Sequence, residues 1–118
     1  ARRASGRGSE VKRGHLLLVP AAALLFVAPN AVAAAPQTHT VIMDKMKFGP
    51  VPANIKAGDS ILWVNRDMFR HTATAKDGSF NIDLAPGAKG KTVVRKAGTI
   101  AFLCKYHPGM RGVLRIAK

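Results

Sequence analysis

Cysteine is almost missing from this chain: Cys104 is the only one among 118 residues. No disulfide can form within it, so nothing but packing or a bound ligand can cross-link the fold. Acidic residues are scarce too, six against 19 lysines and arginines, for a formal charge of +13 at pH 7. No arginine-rich helix or set of stacking aromatics accompanies that charge, which argues against nucleic acid as a partner. A Ser/His/Asp set, an H-E-x-x-H motif and a glycine-rich phosphate loop are all absent, so hydrolytic and nucleotide chemistry lack their groups. No stretch has the 3.6-residue period of an amphipathic helix, and there are no internal repeats. The apolar run 16–28 has 13 residues and is interrupted by Pro20, short of the about 20 that a membrane-spanning helix needs.

What the N-terminus does contain is the layout of a secretory signal. Arg2, Arg3, Arg7, Lys12 and Arg13 precede the apolar run, and Ala31-Val32-Ala33 follows it as a small-residue cleavage site. Residues 1–33 are therefore expected to be a signal peptide, cut after Ala33 or Ala34, with 34–118 as the folded domain. Arg2-Arg3 stands too far from the apolar run to be a twin-arginine signal. The expected product is periplasmic, monomeric and not stably inserted in a membrane. It keeps 14 basic and five acidic residues, a net +9. A domain this small has a limited core, and a bound metal would add stability. Exported chains commonly pair their cysteines, so a single thiol here points to a sulfur protected by a ligand.

From Thr38 onward the chain is short β-prone segments between turn signals. Residues 41–43, 61–64, 92–95, 99–104 and 112–116 read as strands, and Asp77-Gly78 reads as a hairpin turn. Gly49-Pro50, Ala57-Gly58-Asp59, Pro86-Gly87 and Ala97-Gly98 mark further corners. This density of turns predicts an all-β sandwich or barrel. Period two places Ile100, Phe102 and Cys104 on one face, so Cys104 should point into the core. Leu114 and Ile116 share a face opposite Arg115 on the final strand.

The chemistry lies in Cys104-Lys105-Tyr106-His107-Pro108-Gly109-Met110. A cysteine ending a strand, followed by a tight loop, can bring thiolate, imidazole and thioether onto one ion. A second imidazole must come from a distant strand. His15 lies in the signal and His39 at the expected start of the domain, which leaves His71, after a core strand and the polar turn Asn65-Arg66-Asp67. Two imidazoles and one thiolate in a plane, with a weak axial thioether, are the donors of a type 1 copper site. A buried thiol and a surface histidine would account for Cys-x-x-His alone. The added methionine, the single cysteine and the export signal favour copper, with His71, Cys104 and His107 equatorial and Met110 axial. A dinuclear copper centre would need a second cysteine. Pro108 should restrict the loop, while Gly109 and Gly112 should supply backbone freedom. Met43 reads as core, and Met46 and Met68 are expected at the mouth of the site.

These motifs resemble those of the cupredoxins, the blue copper family, and within them the amicyanin-like branch. The resemblance runs from Met46-Lys47-Phe48 to the end, through 55–59, 63–67 and 104–112, and its most specific element is the two-residue spacing between His107 and Met110. It implies a Greek-key β-sandwich with His71, Cys104, His107 and Met110 as copper ligands. It also implies one copper cycling between Cu(I) and Cu(II), a dehydrogenase as electron donor and a c-type cytochrome or oxidase as acceptor. Four positions depart from the amicyanin-like pattern. Thr72 stands for Asn, Arg70 and Tyr106 stand where proline precedes each histidine, and Gly109 stands for an apolar aromatic.

Two functions fit these residues, neither of them enzymatic. One is an exported one-electron carrier, passing electrons through the edge of His107 with Phe69, Pro86, Pro108 and Met110 as an apolar docking rim. The other is a periplasmic copper buffer or delivery protein using the same ligands. The basic excess fits either an acidic redox partner met by electrostatic steering or a solvated surface with no single partner.

Overall fold

The computed structural model describes residues 6, 8, 12–30 and 34–118. The chain divides into two units, Ala1–Val32 and Ala33–Lys118. In the first, residues 12–30 adopt no regular secondary structure, and Leu16 to Leu18, Leu24 and Phe26 are each at least 79% exposed. Among the described residues no helix is long and apolar enough to cross a membrane. The expected cleavage site Ala31-Val32-Ala33 lies outside the described residues.

The second unit is built from nine strands: β1 (Thr38–Asp44), β2 (Lys47–Phe48), β3 (Ile55–Lys56), β4 (Ser60–Asn65), β5 (His71–Ala75), β6 (Asn81–Leu84), β7 (Lys89–Val93), β8 (Gly98–Leu103) and β9 (Arg111–Ala117). They form a four-stranded sheet in the order β2-β1-β4-β7 and a five-stranded sheet in the order β3-β9-β8-β5-β6. The chain crosses between the sheets five times, at β2–β3, β3–β4, β4–β5, β6–β7 and β7–β8, in keeping with the Greek-key sandwich that the resemblance implies. Apolar alternation supplies the facing surfaces: Val41, Met43, Ile61 and Trp63 from one sheet, and Ala73, Ala75, Ile100, Phe102, Leu114 and Ile116 from the other. Phe102 sits at the centre, with its ring 4.8 Å from Phe48, 5.1 Å from Trp63 and 6.4 Å from Phe80.

Several expectations shift. The strand expected at 92–95 is β7, which begins at Lys89 and ends at Val93. It is an edge strand paired to β4 alone, so its outer face is polar and apolar periodicity does not mark it. β2 and β3 have two residues each, too few to show any period. Asp77-Gly78 does turn β5 into β6, and Gly78 takes φ of 79°, a left-handed conformation that suits glycine. Gly112 is different. Its φ is not positive, but a Cβ there would lie 2.2 Å from Phe102 Cζ. The need at Gly112 is for space beside the central ring, not for backbone freedom. Gly109 shows neither constraint.

Candidate metal centre

β5 begins with His71, and β8 ends one residue before Cys104. Because β5 and β8 are neighbours in one sheet, the two residues meet at the same end of the sandwich despite 33 positions between them. Cys104 continues the buried face of Ile100 and Phe102 and is itself fully buried, as is His71. The loop to β9 then folds back: the Cys104 amide donates to the Met110 carbonyl at 3.1 Å, and the Met110 amide to the His107 carbonyl at 2.8 Å. The turn leaves His107 half-buried and returns Met110 to the core, 3% exposed.

The donor atoms converge. Cys104 Sγ lies 3.8 Å from His71 Nδ1 and 3.7 Å from His107 Nδ1, and one donor atom from each residue falls within 4.8 Å of the others. Bonds of about 2.05 Å to nitrogen and about 2.3 Å to sulfur, as a first-row ion makes, put N and S about 3.8 Å apart at a trigonal angle. The spacing thus fits a trigonal ion. The imidazole rings are 5.0 Å apart and steeply inclined at 69°, so both present Nδ1 without stacking.

Each donor is held from behind. His71 Nε2 donates to Asp67 Oδ2 at 2.9 Å, which fixes the tautomer that leaves the Nδ1 lone pair facing the sulfur. Asp67 is in turn held by the amides of Met46 and Met68, at 2.9 and 2.8 Å. The His71 side chain and then the Met46 amide keep its carboxyl below the ordinary aspartate range. Asn65, fully buried, accepts from the Asp67 amide and donates to the Phe69 and Leu84 carbonyls. It thereby pins the loop before His71. Thr72 does two jobs: its amide donates to Cys104 Sγ at 3.3 Å, and its hydroxyl oxygen accepts from the Lys105 amide at 2.8 Å. The shorter Thr side chain therefore does tie the two donor segments together. Its own proton passes to Thr74 Oγ1, 3.0 Å away, because Thr74 donates onward to Asn81.

Asp67, Asn65 and Asp83 were not singled out by sequence reasoning as supports of the site. The Asp67-to-His71 interval of four residues carried a usable signal, whereas Asp83, on β6, had none. The structure also bears on His39. Its Nε2 is 2.8 Å from Asp59 Oδ2, so the histidine passed over as a ligand is already partnered by another group.

Residues 17–116 match the family model described as the cupredoxin-like domain. The chain belongs to the cupredoxin family. Among curated proteins it is similar to amicyanin of Paracoccus versutus, 32% identical over 91 residues that cover 71% of this chain and 69% of that one. Among solved structures, a reduced amicyanin point variant matches with a TM-score of 0.60 at 25% identity, covering 67% of this chain and 81% of the other. A purple cupredoxin from Nitrosopumilus maritimus shares the fold, with a TM-score of 0.60 at 20% identity, over 67% of this chain and 99% of that one. The chain is a cupredoxin of amicyanin-like type, and its cofactor is one type 1 copper, which the thiolate and imidazole donors fit in chemistry and spacing.

Proposed function

We propose that this cupredoxin is an exported one-electron carrier in which His71 Nδ1, Cys104 Sγ and His107 Nδ1 would hold the copper, with the Met110 thioether as a fourth, weaker ligand. The convergence of two imidazole nitrogens on one buried sulfur carries this reading. Copper bound there supplies a reversible one-electron couple; the protein supplies everything else. Cys104 is shielded from water and oxidants by the core. Thr72 directs an amide at its sulfur, a contact of the kind that tunes potential in such sites. His71 is locked by Asp67 and closed off from solvent, so the half-buried His107 is the route by which an electron reaches the surface. Beside it Phe69, whose ring is 6.2 Å from the His107 ring, and the adjacent Tyr106 are 49% and 51% exposed, an apolar rim for a docked partner.

The rest of the proposal concerns context. Residues 1–33 act as a signal peptide, residues 34–118 are the mature domain, and the location is the periplasm; the exposed apolar run without regular structure supports this. The partners are acidic redox proteins, a dehydrogenase as donor and a c-type cytochrome or oxidase as acceptor. The complete burial of Cys104 and His71 favours a carrier over a copper buffer or delivery protein, which would expose its donors to exchange. Addition of Cu(II) should produce the intense visible band of thiolate-to-copper charge transfer. Cys104→Ala should abolish that band, and Met110→Gln should retain copper while shifting the potential. A Cys104→Ala protein that remains blue would refute the assignment.

A further inference from the structure

Outside the donor set, three side chains meet on the rim of the site. Asp83, on β6 opposite Thr72 of β5, accepts from Arg70 Nη1 on Oδ1 at 3.0 Å and from the Tyr106 hydroxyl on Oδ2 at 2.5 Å. Arg70 immediately precedes His71, and Tyr106 immediately precedes His107. One carboxylate on a hydrogen-bonded strand therefore grips both donor segments at the residue next to each imidazole.

The two histidines are otherwise held unequally. His71 begins a strand, is buried, and has Asp67 on its far nitrogen. His107 sits mid-loop, and the hydrogen bonds of its imidazole among the described residues are limited to the contact with Cys104 Sγ. The loop is tied at Lys105 through Thr72, at its base between Cys104 and Met110, and at Pro108 through Arg111 Nε. Between Lys105 and His107, the side-chain anchor to the sheet is Tyr106 on Asp83. An exposed ion pair of the Arg70–Asp83 kind adds little by itself. A carboxylate with a charge-assisted bond on each oxygen, to two separate segments, is a directional constraint.

We propose that Asp83 is a positioning residue for His107, holding the donor loop against the segment that carries His71 so that the two imidazoles keep their spacing when the charge of the site changes. This rests on the electron-transfer reading of the site. A loop that shifted on each electron gained or lost would add to the barrier. The tether limits that movement without occupying a donor atom. Asp83 also offsets the charge of Arg70 beside His71. Removing the carboxylate leaves that positive charge uncompensated, which favours the reduced state and raises the potential. Removing only the phenol hydroxyl leaves the charges as they are. Tyr106→Phe therefore isolates the mechanical role from the electrostatic one.

The test uses the full chain, without metal and after copper loading, for Tyr106→Phe, Asp83→Ala and the double variant. Both positions are exposed, and thermal unfolding verifies that each variant folds. In the metal-free protein, amide hydrogen exchange at Tyr106, His107 and Gly109 should quicken about two- to fivefold in either single variant, the range expected for losing one exposed charge-assisted contact. The double variant should add nothing further. In the copper-loaded protein, electron self-exchange should slow in both single variants, while the potential rises in Asp83→Ala alone. Amide exchange at wild-type rates in both single variants would overturn the proposal. So would quicker amide exchange with unchanged self-exchange, which would reduce the contact to a surface staple. A wild-type protein that takes up Cu(II) without the charge-transfer band would refute the electron-transfer reading instead; the amide exchange would still decide whether the tether exists.

Discussion

Asp67 supports one imidazole of the candidate metal centre from outside it, and Gly112 leaves room for the ring at the centre of the core. Asp67 fixes the His71 ring by accepting from Nε2, and such partners of a ligand typically govern metal affinity by about 10- to 100-fold. Asp67→Ala should therefore weaken copper binding by about that factor in competition with a chelator. Unchanged affinity would mean that the carboxylate shapes only the 66–70 loop. Gly112 faces the Phe102 ring, which Phe48, Trp63 and Phe80 hem in on other sides. Gly112→Ala should cost about 1–3 kcal/mol, the usual range for overpacking a filled core, read as a lower urea midpoint. An unaltered midpoint would show that the ring swings aside freely. The three residues whose donor atoms converge were legible because Cys104 and His107 share one short loop and His71 remained after elimination. The role of Gly112 was not, since nothing in a sequence says which ring lies across a strand pair.

At the scale of elements, strands with large apolar residues were readable, the edge strand β7 was read only in part, and β5, central and buried but made of His, Thr and Ala, was not read, nor were β2, β3 and β6. β4 and β8 each carry four consecutive apolar residues and β9 places Leu114 and Ile116 on one face, whereas β7 and the two-residue β2 and β3 take their structure from partners distant in sequence. A similar long-range dependence fixes the start of β1. Asp59, 5% exposed, accepts from the Gln37 amide, the Lys56 amide and His39 Nε2, and so fastens the segment leading into β1 to the turn between β3 and β4. The Gln37 amide, then the His39 side chain and the Lys56 amide, lower its carboxyl to about 2 from an ordinary 3.8. A carboxyl more acidic in the folded state stabilises the fold above its unfolded pKa and ceases to do so as pH falls through its folded value. The wild type should accordingly lose this contribution between about pH 4 and pH 2, on the aspartate reference scale. Asp59→Asn should be less stable at neutral pH, and the gap to wild type should narrow across that window in thermal melts. A gap that stays constant from pH 5 to pH 2 would mean that the clamp does not depend on the charge of Asp59.

On the scale of the whole domain, the few acids are all committed. Asp44 accepts from the Lys45 amide and Asp77 from the Ser79 amide; Asp59, Asp67 and Asp83 hold the contacts already described. Among the described residues, the ion pair that joins an Asp to an Arg or Lys is Arg70–Asp83. The remaining cations of the domain thus face solvent without a carboxylate partner among the described residues, and three are chain neighbours of residues that support the site: Lys45 beside Met46, Arg66 beside Asp67, and Lys105 beside Tyr106. Such a field should attract an acidic partner before contact, and screening at a Debye length of about 8 Å near physiological salt should weaken that attraction. Arg111 is a poor probe of it, since its Nε donates to the Pro108 carbonyl at 2.9 Å and shapes the ligand loop. Lys105→Glu combined with Arg66→Glu reverses charge at two exposed side chains with no such bond. Association with an acidic electron-transfer partner, followed by stopped-flow, should slow with rising salt in the wild type. It should be slower and less salt-sensitive in the double variant, with the copper spectrum unchanged. An association rate indifferent to ionic strength would leave the +9 of the domain without a docking role.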